Sequence, residues 1–480
     1  MTISIKDYSY YSLRKWDPIF WFGFLKILKL ALSILDKVFV LILGKSILEG
    51  SKEELKLSKR YENSAHLVKV LGRGTINLID NHDKSNFLYV HDSYQHPSYI
   101  LKHDNIVLKG LDNQYAIFCV SDPHVCALDT SIGPFAFINT FVAAQMLIFL
   151  PLEHFYRLAE EIGSPFRNGL DVVMIHMTAR CGSTLLGIMV KKLNTWCRIS
   201  LKIMPVRFCI ITITHFTGKM FESIPNTRVM SEPLSFLFAW NMYLRGKISL
   251  VEYEKLLQSV FQIQCKKERN IERIVIKHNM CATPCLSSLK KWYPKLQLLF
   301  ITRHPLPSFK SYDKLWTLLP VSGTLAFLAN CNDNLWKNYT ILYDDAVWWE
   351  RYRSMVREGC TIDQKVAMSR IFLFNYWCVI EQYIKNKSSY ETMLLYEDLC
   401  SNPREALVNV FSSLNISLDN IPQALCATKD DSQQGFFGKR GSKESKHSSN
   451  VMDLVDKKFQ EYKIPVKINM SMEDFRKLFD

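Results

Sequence analysis

The segment that decides the fold runs from Asp171 to Gly187 and reads DVVMIHMTARCGSTLLG. Its first part, Val172 to Ile175, is a short apolar run of the kind that forms a buried strand. A turn of small and polar residues follows, and a pair of leucines then opens a predicted helix. This geometry can hold a phosphate, because backbone N–H groups and the positive end of the helix point at the anion. A plain connection between a strand and a helix would give the same pattern.

The turn also carries charged and hydroxyl donors for an anion. Arg180 and the hydroxyls of Ser183 and Thr184 add to the backbone donors. The common nucleoside-triphosphate loop needs G-x-x-x-x-G-K-[ST], whereas this turn has one glycine and its basic residue comes first. The turn instead resembles the 5′-phosphosulfate loop of sulfotransferases, P-[KR]-S-G-[ST]-[ST], with Ala for Pro and Cys for Ser. The predicted cofactor-binding residues of this loop are Arg180, Cys181, Gly182, Ser183, Thr184 and Leu185.

A second segment, LQLLFITRHPLPSFKSY, places another cation after a strand. The run Leu298 to Ile301 predicts a buried parallel strand, and a helix follows it. Arg303 and Ser311 are eight residues apart, so a guanidinium at the strand end and a hydroxyl in the helix can converge on one phosphate. An Arg at a surface turn and a solvated Ser would look the same. Sulfotransferases carry a similar R-x-P-x-x-x-x-x-S segment on the 3′-phosphate of 3′-phosphoadenosine 5′-phosphosulfate, and Pro305 completes the match.

Two further segments extend the resemblance over about residues 168–430 and into the tail. MLLYEDLCSNPREAL, from Met393 to Leu407, resembles the late strand, acidic residue and Pro-started helix of the family. Lys439, Arg440 and Gly441 resemble a basic segment that closes over the 3′-phosphate in some members, although a solvated basic loop is the alternative. The resemblance implies an α/β fold: a P-loop-like three-layer core with a central parallel sheet flanked by helices. It also implies 3′-phosphoadenosine 5′-phosphosulfate as co-substrate, without a metal.

Sulfuryl transfer needs cationic stabilisation of the leaving phosphate and a base for the acceptor. Arg180 is the predicted stabilising residue, and Lys277 is expected near the phosphosulfate. Glu232 and His278 are both candidates for the base. In the family, a Glu after the first helix or a His after a strand-end Lys has this role. Glu232 matches the first pattern, whereas His278 lies one residue early for the second, so Glu232 is preferred.

The amino-acid composition limits the classes of function that this chain can have. The chain has 480 residues, a formal net charge of +14 and 48% hydrophobic residues, which describes a folded protein that handles an anion or an anionic surface. Nothing resembles a nucleic-acid-binding motif, and the 13 cysteines contain no zinc-binding pattern. Two alternatives to a sulfotransferase remain: a catalytically impaired binding protein of the same fold, and a P-loop nucleotide kinase. The acceptor substrate cannot be read from the sequence.

The sequence before the phosphate turn predicts three segments: an apolar helix, a polar linker and a β-rich region. Residues 18–44 form an apolar helix with four charges, either an interfacial or signal-anchor helix or a buried amphipathic one, so residues 1–50 are a candidate membrane anchor. Residues 51–60 are a predicted polar linker. Short β-type runs over residues 61–135 and a helical stretch over 138–161, kinked near Pro151, make 51–165 a small accessory β-rich region.

Residues 166–480 are the predicted sulfotransferase-like domain. Within it, residues 188–218 are basic and β-branched and interrupt the helix after the phosphate turn, which indicates an insert or a retained intron. Four N-x-[ST] sites and the apolar N-terminus favour a type II arrangement in the Golgi lumen over a cytoplasmic location.

Overall fold

The computed structural model describes residues 17–74, 84–125, 127–128, 136–178, 220–221, 223–244, 246–278, 284–316, 374–429 and 448–480. The chain divides into two units. The first comprises residues 1–172 and 228–274, and the second comprises residues 173–227 and 275–480.

Twelve strands are found in the described part of the chain: β1 Lys45–Ser46, β2 Gly50–Ser51, β3 Ala65–Arg73, β4 Phe87–Gln95, β5 Ile106–Leu111, β6 Tyr115–Val120, β7 Met146–Pro151, β8 Asp171–Met177, β9 Thr227–Ser231, β10 Arg273–Lys277, β11 Gln297–Thr302 and β12 Thr392–Leu395. The α-helices of the described part are α1 Asp17–Leu43, α2 Lys52–Leu57, α3 Ser98–Lys102, α4 Ala136–Ala143, α5 Leu152–Ile162, α6 Ser235–Leu244, α7 Leu250–Gln264, α8 Pro284–Trp292, α9 Pro305–Trp316, α10 Val379–Lys385, α11 Tyr396–Ser401, α12 Pro403–Ser413, α13 Ile421–Lys429, α14 Ser448–Glu461 and α15 Met472–Lys477. A π-helical turn, Phe374–Cys378, precedes α10.

The first unit contains an antiparallel sheet with strand order β4-β3-β7-β6-β5. All six residues of β5 are buried, as are five of the six in β6. Helices α4 and α6 pack on β5, and α5 packs on α7. Because helices cover β5, its side chains are buried on both faces and its sequence shows no alternation of polar and apolar residues.

Two predictions for the first unit are wrong. Residues 138–161 are not one kinked helix, because Met146–Pro151 forms β7 between α4 and α5. The four central residues of this six-residue strand are buried and apolar, and periodicity cannot distinguish such a run from a buried helix. The predicted linker over residues 51–60 contains α2, which begins with a capping box: Ser51 Oγ accepts from the backbone of Glu54, whose carboxylate accepts from Ser51 N.

A second sheet has the strand order β12-β11-β8-β10-β9 and is flanked by helices, which confirms the α/β class. Strand β11 runs parallel to β12 and to β8, with Ile301 opposite Met177 and Thr302 opposite Leu395. After β8 the chain forms β9 and β10 on one side of β8, and then β11 and β12 on the other. This reversal makes the carboxyl end of β8 a topological switch point, where open α/β sheets bind ligands.

Two strands of this sheet lie where the apolar runs predict them. Val172–Ile175 lies in β8 and Leu298–Ile301 lies in β11. The late strand and its Pro-started helix are confirmed as β12 and α12. The proposed insert, residues 188–218, lies outside the described residues.

The core of the second unit joins β11 to the C-terminal helices. Phe300 of β11 and Phe309 of α9 are fully buried, together with Phe459 of α14 and Phe475 of α15. The ring of Phe300 stacks on Tyr383 of α10, with centroids 4.1 Å apart. The C-terminal helices therefore fix the end of β11 from which Arg303 projects.

Candidate functional site

The ends of β8 and β11 are tied together at the switch point. Thr178 directly follows β8, Thr302 ends β11, and both side chains are fully buried. Thr178 Oγ1 donates to Thr302 Oγ1 at 3.2 Å, and Thr178 N donates to the carbonyl of Ile301 at 3.0 Å. The start of the predicted phosphosulfate loop and the residue before Arg303 therefore meet at one edge of the sheet.

Arg303 lies between an aromatic ring and a carboxylate. Its guanidinium carbon lies 4.6 Å from the ring centroid of Tyr396, a cation–π contact. Its Nε lies 3.9 Å from Oε1 of Glu397, and both side chains are partly buried. The backbone carbonyl of Arg303 accepts from Tyr376 Oη at 2.5 Å. These contacts hold the guanidinium at the carboxyl end of β11, beside the first turn of α9.

His304 orders the start of α9. Its Nε2 bonds the carbonyl of Met470 at 2.9 Å, and because a carbonyl can only accept, Nε2 carries the proton. Nδ1 is then an acceptor, and Leu306 N donates to it at 3.3 Å. His304 N donates to Glu397 Oε1 at 3.1 Å. An imidazole thus caps this helix, whose N-terminus carries a partial positive charge.

Ser308 presents a buried hydroxyl in the first turn of α9. Its side chain is fully buried, and its Oγ has no hydrogen-bond partner among the described residues. A buried hydroxyl without a partner costs about 1–3 kcal/mol. Such a group in the first turn of a helix fits an anionic ligand that would accept a hydrogen bond from it. A serine in a predicted helix gives no signal of this kind in the sequence.

β10 ends in two buried basic residues. Lys277 is fully buried, His278 is almost fully buried, and His278 N donates to the carbonyl of Ile175 in β8 at 3.0 Å. A fully buried lysine is rare in proteins unless its ammonium is paired. Lys277 is the last residue of β10 and His278 follows it, so both lie at the carboxyl end of this strand.

Behind this edge lies a buried polar pair that sequence reasoning did not find. Tyr390 Oη lies 2.7 Å from Nδ1 of His176, and His176 also packs against Phe300. Burial lowers the pKa of His176 well below its usual value, and nearby His278 lowers it further. Burial also raises the pKa of Tyr390. The imidazole and the phenol are therefore both neutral at pH 7 and form part of the core. A single His within an apolar strand gives no sequence signal for such a partner.

Glu232 belongs to the first unit and directly follows β9. Its backbone adopts a φ of 54°, a left-handed conformation that non-glycine residues rarely adopt. Pro233 follows, and a residue before proline favours extended backbone, which adds to the strain. A strained residue of this kind costs about 1–3 kcal/mol and occurs most often at functional sites. Glu232 is half-buried.

The remaining predicted residues cannot be placed. Arg180, Cys181, Gly182, Ser183, Thr184 and Leu185 lie outside the described residues, as do Lys439, Arg440 and Gly441. The backbone of Ser311 lies in α9, and its side chain is not described. Across the described part of the chain, no three His, Cys, Asp or Glu side chains are arranged to hold a metal ion.

Comparison with known proteins adds no assignment. No protein-family model matches the chain, and no curated protein matches it either.

Proposed function

We propose that this chain is a sulfotransferase that moves a sulfuryl group from 3′-phosphoadenosine 5′-phosphosulfate to a hydroxyl or amine acceptor. The observation that supports it best is the contact between Thr178 and Thr302 at 3.2 Å. Arg180 follows Thr178 by two residues and Arg303 follows Thr302 directly. Two residues of chain span at most about 7 Å. Both predicted phosphate-binding segments therefore begin at the same edge of the sheet, as a nucleotide with phosphates at both ends of its ribose requires.

The residues at this edge suit the anionic groups of the nucleotide. Arg303 and the buried Ser308 hydroxyl supply a cation and a donor for the 3′-phosphate, with Ser311 on the same helix. Arg180, with the hydroxyls and backbone N–H groups of its loop, would bind the 5′-phosphosulfate. The donor supplies the sulfuryl group together with a phosphate leaving group.

Proton removal from the acceptor needs a base, for which Glu232 is the first candidate. Its left-handed backbone is compatible with this role, because strained residues cluster at active sites. His278 is the second candidate, although its burial limits access for an acceptor. Lys277 supplies positive charge at the end of β10, where negative charge grows on the leaving phosphate.

A second candidate function is nucleotide binding without transfer. Two departures from the sulfotransferase loop favour it, Ala179 for Pro and Cys181 for Ser, together with the interrupting segment 188–218. A third candidate is a P-loop kinase, which the absent G-K-[ST] disfavours.

Isothermal titration of the full chain with 3′-phosphoadenosine 5′-phosphate and, separately, with ATP and magnesium distinguishes these candidates. A sulfotransferase binds the first ligand and transfers labelled sulfate to a panel of alcohols, sugars, tyrosyl peptides and amines. Binding without transfer to any acceptor supports the second candidate. Binding only of ATP with magnesium contradicts the sulfotransferase proposal.

A variant series tests the site itself. Arg303→Ala should weaken nucleotide binding about 10- to 100-fold, because hydrogen bonds to a charged group contribute about 1.5–3 kcal/mol. Arg476→Ala is the matched control, since Arg476 pairs with the exposed Asp398 carboxylate in the same unit. Equal weakening in both variants would indicate a general loss of positive charge rather than a site at Arg303.

A further inference from the structure

Charged side chains of helix α1 contact the rest of the first unit. Lys26 Nζ donates to the carbonyl of Ser85 at 3.1 Å. Lys29 Nζ donates to the carbonyls of Lys84 and Phe87 at 3.1 and 3.2 Å. Both ammonium groups therefore attach the helix to the segment at the start of β4, instead of facing the solvent.

The acidic residue of α1 is used in the same way. Asp36 Oδ1 accepts from Ser46 Oγ at 2.8 Å, from Ile47 N at 2.5 Å and from Leu48 N at 3.0 Å. The carboxylate thereby organises the turn that follows the helix. Between Lys26 and Asp36, α1 is held to the folded unit mainly through polar contacts, with Leu25 buried beside them.

The side of α1 turned away from these contacts is apolar and exposed, and residues 38–43 are exposed all around the helix. Eleven of the eighteen exposed large apolar side chains in the described part of the chain belong to this helix. Ile27 is 66% exposed, Leu41 is 86% exposed and Ile42 is 71% exposed. The eleven residues are Phe24, Ile27, Leu30, Ile34, Leu35, Val38, Phe39, Val40, Leu41, Ile42 and Leu43. A soluble helix has the reverse polarity, with its apolar face against the core.

We propose that this face of α1 binds the surface of an anionic lipid bilayer, with the helix lying in the plane of the interface. No helix in the part of the chain described here has the length and apolarity needed to cross a bilayer. A helix of 27 residues is about 40 Å long, so lying flat brings the whole apolar face into contact with lipid.

The charge around α1 favours anionic headgroups. Lys37 is the one exposed charged residue among the described side chains of α1, and its long side chain can reach the headgroups while its stem stays in the apolar layer. The segment after the helix exposes five basic side chains and three acidic ones: Lys45, Lys52, Lys56, Lys59 and Arg60 against Glu49, Glu53 and Glu62. The chain as a whole carries a net charge of +14. An acidic lipid surface is therefore a better partner than a neutral one.

Flotation of the full chain with lipid vesicles tests the proposal. The wild-type chain should bind vesicles of phosphatidylcholine, and more strongly those with about 30 mol% phosphatidylserine, a preference that salt reduces. The triple variant Ile27→Ser, Ile34→Ser and Leu41→Ser should lower partitioning by at least about 100-fold, because each large apolar side chain contributes about 10-fold or more. The substituted residues are exposed, so the fold should be retained.

The matched control removes exposed apolar side chains elsewhere in the same unit. Leu250→Ser with Val251→Ser alters residues that are 52% and 75% exposed at the start of α7, and should leave vesicle binding unchanged. Vesicle binding that persists in the triple variant would overturn the proposal. Absence of binding by the wild-type chain, or self-association in lipid-free solution that the triple variant abolishes, would also overturn it, the latter in favour of a contact between two copies.

Discussion

The strained backbone at Glu232 leads to a prediction about stability and activity together. A left-handed conformation costs a residue with a Cβ about 1–2 kcal/mol, whereas glycine adopts it freely but loses about 0.5–1 kcal/mol through the entropy of the unfolded chain. Glu232→Gly and Glu232→Ala both remove the carboxylate, and only the glycine relieves the φ of 54°. The glycine variant should therefore be more stable than the alanine variant by about 1 kcal/mol, while both lose sulfate transfer.

Urea denaturation of the two variants measures the strain directly, since their difference cancels every contact of the carboxylate. Lys463 provides the matched control, because it has the same φ of 54° and is exposed after α14. Lys463→Gly should exceed Lys463→Ala in stability by a similar amount without affecting transfer. Equal stability of Glu232→Gly and Glu232→Ala would refute strain at this position. Full transfer activity in either Glu232 variant would refute its role as the base and favour His278.

Three further predictions concern the second unit. In the folded chain the buried His176 stays neutral, whereas in the unfolded chain its imidazole binds a proton below about pH 6.5. The free energy of unfolding should therefore fall as the pH drops below about 6.5, by up to about 1.4 kcal/mol per pH unit. Urea titrations between pH 5 and 7 should show a shallower dependence in the double variant His176→Phe with Tyr390→Phe, and an unchanged slope would contradict the assignment. Ser308→Ala should raise the stability of the nucleotide-free chain by about 1 kcal/mol and weaken nucleotide binding, since the hydroxyl lacks a partner in the described structure; a stability loss would show that the hydroxyl is satisfied. Thr178→Val should cost about 1 kcal/mol by removing the bond to Thr302, and denaturation together with nucleotide titration should show both a stability and an affinity loss.

Much of the parallel sheet is predictable from the sequence because its strands are buried on both faces. The runs around Val173, Val275 and Leu299 are short, apolar and bounded by polar residues, and each forms a strand. Continuous burial also explains why β7 was wrongly predicted as part of a helix, since its run of apolar residues lies between two helical segments. Local sequence decides the type of an element only where its periodicity is distinct.

The candidate site is predictable only in part, for a different reason. Arg303 was found because a strand and two prolines surround it. The contacts that define its surroundings come from distant segments: Tyr396 and Glu397 follow β12, and Met470 precedes α15. The fully buried state of the Ser308 hydroxyl likewise depends on the packing around α9. Such features require the tertiary fold, because no spacing along the chain encodes them.

The proposed sulfotransferase activity requires that Arg303 bind the 3′-phosphate of a nucleotide at the edge where β8 and β11 end. Calorimetric titration of the wild-type chain and of Arg303→Ala with 3′-phosphoadenosine 5′-phosphate and with adenosine 5′-monophosphate isolates this contact, because the two ligands differ only in that phosphate. The wild-type chain should prefer the first ligand by about 10- to 100-fold, and the variant should bind both with similar affinity. The same preference in both proteins, or no preference in the wild-type chain, would show that Arg303 does not bind the 3′-phosphate.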